Sequence, residues 1–96
     1  MNFIDLLALV VRNTKPDHGK FVRPETLDTP LSEEATGLDS LDMALVITVM
    51  GEIYKVPMEV IDRARGIETV ADLQAFVEAN GTRWPDSLDE AAGYIE

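Results

Sequence analysis

Asp39-Ser40-Leu41-Asp42-Met43-Ala44-Leu45-Val46-Ile47-Thr48-Val49-Met50-Gly51-Glu52-Ile53-Tyr54 is a long apolar stretch that opens on a helix-start signal. Ser40 is expected to cap this helix, with its hydroxyl near the exposed backbone N–H groups of the first turn. Lys55 suits the end of the helix, and Pro57 cannot continue it. Met43, Val46, Ile47, Met50 and Tyr54 fall in one stripe at helical spacing and should face a core. Leu41, Leu45, Thr48 and Val49 lie largely off that stripe. A helix apolar over so much of its circumference is buried on several sides or shows apolar surface to a partner. Gly51 should cost roughly 1 kcal/mol against alanine in mid-helix, so it is a place for close approach by a neighbour.

Working outward, Phe3, Leu6, Leu7 and Val10 define a first helix from Asn2 or Phe3 to about Arg12, ended by Lys15-Pro16-Asp17-His18-Gly19. A long irregular region follows, from about Asn13 to Asp39. Pro16, Pro24 and Pro30 exclude a long helix there. Phe21, Val22, Leu27, Leu31 and Leu38 are spaced like anchors that pin this loop to a core. A short helix is expected from Glu59 to Ala64, and a last core helix after Thr69. Thr69 and Asp72 have capping-box spacing, Val70, Leu73, Phe76 and Val77 give the apolar face, and Asn80-Gly81 ends it. The fold class is therefore all-α: a four-helix bundle over residues 1–80 with a long loop between its first two helices. Residues 81–96 form an extension. Trp84-Pro85 breaks the chain, and Ser87-Leu88-Asp89-Glu90 reads as a capping box. The short helix after it either docks through Leu88, Ala91, Tyr94 and Ile95 or frays.

Composition narrows the function. Ninety-six residues make one domain. Cysteine is absent, which excludes disulfides, thiolate zinc sites and cysteine nucleophiles and fits a cytoplasmic location. Eighteen acidic residues oppose eight basic ones, for a net charge of −10. That balance argues against nucleic-acid binding and favours basic partner surfaces. No membrane span is visible: Phe3 to Val11 is apolar, but Asp5 interrupts it and it is far shorter than the ~20 residues a membrane helix needs. The one histidine, His18, lies in the loop and is expected to be solvated. One histidine and no cysteine supply neither a convincing nucleophile–base pair nor a metal site, so the chain is not expected to be an enzyme.

The tetrapeptide Asp-Ser-Leu-Asp occurs twice, at Asp39 to Asp42 and at Asp86 to Asp89. Only nine residues follow Ser87, too few for a bundle to form after it, so that copy is read as helix-start chemistry. In the first copy, Gly37-Leu38-Asp39-Ser40-Leu41 resembles the prosthetic-group attachment site of acyl carrier proteins. The resemblance covers about Phe3 to Asn80. It implies that Ser40, flanked by Asp39 and Leu41, carries 4′-phosphopantetheine, transferred from coenzyme A by a phosphopantetheinyl transferase. The thiol of that arm would hold acyl groups as thioesters for acyl-loading, ketosynthase or acyltransferase-type enzymes, and the carrier would be a monomer. Asp42 and Glu52 fall where acidic residues of this family meet basic patches on partner enzymes, and Leu41 where an apolar contact is common. Leu45 and Thr48 share the side of the helix occupied by Leu41. Leu45 departs from fatty-acid carriers, in which an acidic residue is frequent there, and this implies a specialised fatty-acid or polyketide-type pathway. Peptidyl carriers more often have Gly-Gly-x-Ser where this chain has Leu38-Asp39-Ser40. The alternative reading is an unmodified acidic helical interaction module that docks through the Ser40-to-Tyr54 helix.

Mutual repulsion among the carboxylates should make the folded protein salt-sensitive. Moderate salt shortens the Debye length to about 8 Å at physiological ionic strength, so the melting temperature should rise with added salt or divalent cations. A flat or falling melting temperature across that range would show that repulsion is negligible.

Overall fold

Six helices form in the described residues, 2–14 and 21–95, of a computed structural model. They are α1 (Phe3–Thr14), α2 (Glu33–Thr36), α3 (Ser40–Tyr54), α4 (Met58–Asp62), α5 (Val70–Asn80) and α6 (Leu88–Gly93). The all-α expectation holds, with α1, α3, α4 and α5 as the four bundle helices and α6 as the further C-terminal one. The helix stop expected at Lys15 to Gly19, with His18, lies outside the described residues. The short helix α2 was not anticipated. Its signal was legible: Ser32 caps it by accepting from the Ala35 N–H, and Glu33 and Glu34 sit at the positive end of its dipole.

Five of the six helices start where a side chain takes over an orphan amide; α4 instead follows Pro57 with no side-chain cap. Asn2 Oδ1 accepts from the Ile4 N–H at 2.7 Å and opens α1. That helix buries Phe3, Leu6, Leu7 and Val10, and also Ile4 and Val11. It runs two residues past Arg12 to Thr14, whose hydroxyl donates to the Val10 carbonyl at 3.0 Å. Thr69 and Asp72 close a full capping box on α5. Helix α3 crosses the centre and buries Val46, Met50, Gly51, Ile53 and Tyr54. Three of the five residues expected to face the core are thus inside, while Met43 and Ile47 are only half-buried. Gly51 does permit a close neighbour. A Cβ there would sit 3.1 Å from Ile61 Cγ1, so α4 leans on α3 at this point.

The long loop is held by backbone bonds more than by side chains. Of the expected anchors, Leu38 is buried, and Phe21 and Leu31 pack against the core, but Val22 and Leu27 are exposed. Val22 and Leu27 act through the main chain instead. The Val22 N–H donates to the Thr36 carbonyl at 2.9 Å, and the Leu27 carbonyl accepts from the Ala71 N–H at 2.8 Å. The Thr29 carbonyl accepts from the Val70 N–H at 3.1 Å, so both leading amides of α5 are consumed by the loop. An isolated antiparallel bridge between Pro30 and Thr69 lies between these contacts, and an Arg23–Asp5 ion pair ties the loop to α1.

The C-terminal segment closes the other end of the molecule. The Thr82 and Arg83 amides both donate to the Tyr54 carbonyl, at 2.9 and 3.1 Å. The Arg83 guanidinium donates to the Ile53 and Glu52 carbonyls at 2.9 and 2.6 Å and stacks 3.6 Å from the centroid of the Tyr94 ring. Helix α6 then lies against α1, with Ala91 fully buried. Among the described residues no helix is long and apolar enough to cross a membrane.

Gly81 makes this closure sterically feasible. Its φ of −76° suits any residue, but a Cβ there would meet the Val77 and Tyr54 carbonyl oxygens at 2.6 and 2.8 Å. Gly93, in α6, has open space around it. Gly81→Ala should therefore lower stability by about 1–3 kcal/mol, as over-packing does. Gly93→Ala should be neutral or stabilising by up to about 1 kcal/mol. Denaturant midpoints of the two variants would test this, and equal midpoints would remove the steric argument.

Candidate functional site

The cap of α3 is Asp39, not Ser40 as the sequence suggested. Asp39 Oδ1 accepts from the Asp42 N–H at 2.8 Å, and Asp42 Oδ2 accepts from the Asp39 N–H at 3.2 Å. This reciprocal box needs a side-chain acceptor at the cap and another three residues on, and Asp39 and Asp42 supply both. Ser40 thereby moves to the first helical residue, exposed, with its hydroxyl hydrogen-bonded to no described residue. The backbone amides of Ser40 and Leu41 likewise meet no acceptor among the described residues. The contrast with α5, whose leading amides are both taken by the loop, sets this helix start apart. An exposed hydroxyl, two open amides and the positive end of a helix dipole together favour a negatively charged group on Ser40.

The second Asp-Ser-Leu-Asp is registered differently. Ser87 itself caps α6, its hydroxyl oxygen accepting from the Glu90 N–H at 3.1 Å. The expected reciprocal half of that box is absent, because the Glu90 carboxylate accepts from the Tyr94 hydroxyl at 3.1 Å. Ser87 is occupied by capping, whereas Ser40 is released from it.

A cleft of about 510 Å³ opens beside Ser40. Leu31, Leu38, Met43, Ala44, Ile47 and Ile67 give it an apolar wall, and Ser32, Glu33, Asp39 and Ser40 add its polar lining. The cleft explains why the α3 stripe is only partly inside: Met43 and Ile47 line this space, while Val46 and Met50 are fully buried. Sequence reasoning missed Leu31 and Ile67 as lining residues. Leu31 was legible only as a loop anchor, and nothing local to Ile67 says which space it borders.

The remaining residues predicted for partner contact divide into two groups. Leu41 and Leu45 are 72% and 45% exposed, and Thr48 and Glu52 continue the same row at helical spacing. Thr48 is half-buried, and its hydroxyl donates back to the Ala44 carbonyl at 2.8 Å. Glu52 lies at the far end, with its main-chain carbonyl held by Arg83. Asp42 stands apart from this row, its carboxylate engaged in the cap. No family model, curated protein or solved structure matches the chain.

Leu45 is exposed and lies outside the core cluster. Leu45→Glu should therefore change unfolding free energy by no more than about 0.5 kcal/mol, the usual range for exposed positions. A chemical melt that shows the variant unfolded would place Leu45 in the core.

Proposed function

We propose that the protein is an acyl carrier, with Ser40 bearing a 4′-phosphopantetheine arm whose thiol holds acyl intermediates as thioesters. The observation that carries this reading is the release of Ser40 from the cap by the Asp39–Asp42 box, which leaves its hydroxyl exposed beside two amides with no acceptor among the described residues. Among the described residues no base is hydrogen-bonded to that hydroxyl, which fits a residue modified by a separate enzyme. A phosphopantetheinyl transferase would remove the Ser40 proton. The oxygen then attacks the β-phosphorus of coenzyme A, and the pyrophosphate linkage breaks to release adenosine 3′,5′-bisphosphate. The phosphodiester left on Ser40 is anionic, and placing it at a helix start contributes roughly 0.3–1 kcal/mol at an exposed site. The adjacent apolar cleft offers shelter to the arm or its cargo. The exposed Leu41 and Leu45 offer apolar contact to acyl-loading, ketosynthase or acyltransferase-type enzymes of a specialised fatty-acid or polyketide-type pathway. A monomeric, cytoplasmic protein fits this role. The same exposed pair also favours a second reading, in which the unmodified chain is an interaction module docking through α3.

Intact mass after incubation with coenzyme A and a broad-specificity phosphopantetheinyl transferase separates the two. The wild-type protein and Ser87→Ala should each gain one phosphopantetheine, and Ser40→Ala should gain none. Because the chain has no cysteine, the gain should bring one titratable thiol where there was none before. No mass gain on the wild type would leave the interaction module as the reading, and a gain on Ser40→Ala would move the site.

A further inference from the structure

A second recess, of about 210 Å³, lies at the opposite end of α3 from Ser40, roughly 20 Å along the helix axis. Tyr54, Glu78, Trp84 and Asp86 contribute to its wall. Three observations give it a chemical character. The first is Trp84, the only tryptophan of the chain, which stands 54% exposed on this notch without a partner ring or cation among the described residues. Large exposed aromatics beside a cavity are characteristic of binding surfaces. The second is a pair of carboxylates. Glu78 accepts from the Gln74 side-chain amide at 3.0 Å, and neither Glu78 nor Asp86 is in an ion pair among the described residues. The third is Tyr54. Its side chain is almost wholly buried, at 3% exposure, and its hydroxyl, which has no hydrogen-bond partner among the described residues, is the part that reaches solvent. Burial, and then the nearby Glu78 carboxylate, push its ionisation up to about 12, so at neutral pH it is an uncharged group able to accept.

An aromatic face, two carboxylates outside any ion pair and a hydroxyl without a hydrogen-bond partner among the described residues are complementary to a planar cation with several N–H donors. We propose that this notch is a docking site for an arginine side chain carried on a basic segment of a partner protein. The guanidinium stacks on the Trp84 indole as a cation–π pair, and its N–H groups donate to the Glu78 and Asp86 carboxylates and the Tyr54 hydroxyl. The chain's net charge of −10 steers such a segment toward it. A partner held there leaves the Ser40 end of α3 uncovered, so tethering at one pole and chemistry at the other are compatible. The inference is independent of Ser40 modification.

The test uses the unmodified full-length protein and two blocked peptides, acetyl-Gly-Arg-Gly-amide and its citrulline counterpart, which keeps the shape but removes the charge. Fluorescence of the single tryptophan reports directly on the notch. The arginine peptide should change it saturably, and the citrulline peptide at equal concentration should not. Glu78→Gln and Asp86→Asn should each weaken the arginine peptide by about fivefold or more, as loss of one close charge pair does. Ser40→Ala should bind as the wild type does, so this result stands or falls apart from the carrier reading. Equal responses to the two peptides, a response that never saturates, or unchanged binding in both carboxylate variants would overturn the proposal.

Discussion

The carbonyls at the end of α3 are the constraint on which the rest of the arrangement depends. A helix leaves its last carbonyls without partners, and a helix that ends against a core must find donors for them. Here the four from Glu52 to Lys55 all receive a hydrogen bond from Thr82 or Arg83. The guanidinium adds a positive charge at the negative end of the helix dipole. Those bonds fix where the chain must pass after α5, which brings Gly81 against two carbonyl oxygens and forbids a side chain there. They also set the path into α6, which covers α1 and lets Tyr94 stack on Arg83. The C-terminal segment is thus structurally part of the bundle's end.

Helix α3 is consequently asymmetric. Its C-terminal groups are fully paired by the protein, while among the described residues its first two amides meet no acceptor beside an exposed hydroxyl. Helix α5 has the reverse treatment at its start, where loop carbonyls occupy both leading amides. That difference between two neighbouring helix starts gives the attachment reading a physical basis in this molecule beyond a shared tetrapeptide.

The two copies of Asp-Ser-Leu-Asp show how little four residues decide. Both begin helices, as their composition predicts. In one the aspartate caps and in the other the serine does. At Asp39 the reciprocal acceptor three residues on is Asp42, whose carboxylate reaches back to the Asp39 amide. At Ser87 the residue three on is Glu90, whose carboxylate is turned to the Tyr94 hydroxyl. The aspartate register is closed by its i+3 carboxylate, whereas the serine register stands on a single side-chain cap bond to the Glu90 amide.

Local sequence determined the helix class, the position of the four bundle helices, and the exposure of Leu41 and Leu45, because helical periodicity and capping chemistry act over three to four residues. It also marked Ser40 as the residue to watch. It did not reveal α2, whose Ser32 cap was legible but lay in a proline-bearing stretch read as loop. Tertiary structure alone decided that Asp39 rather than Ser40 caps α3, that Val22 and Leu27 hold the loop by main chain rather than side chain, and that Arg83 binds the end of α3. It alone brought Leu31 and Ile67 to the Ser40 cleft, and Trp84, Glu78 and Tyr54 to one notch. Apart from the Asp39–Asp42 box, these are contacts between residues separated by roughly six to forty-five positions, and no rule that reads spacing along one helix can place them. They are set by which backbone groups are left unpaired when the helices pack, and by which distant segment can reach them.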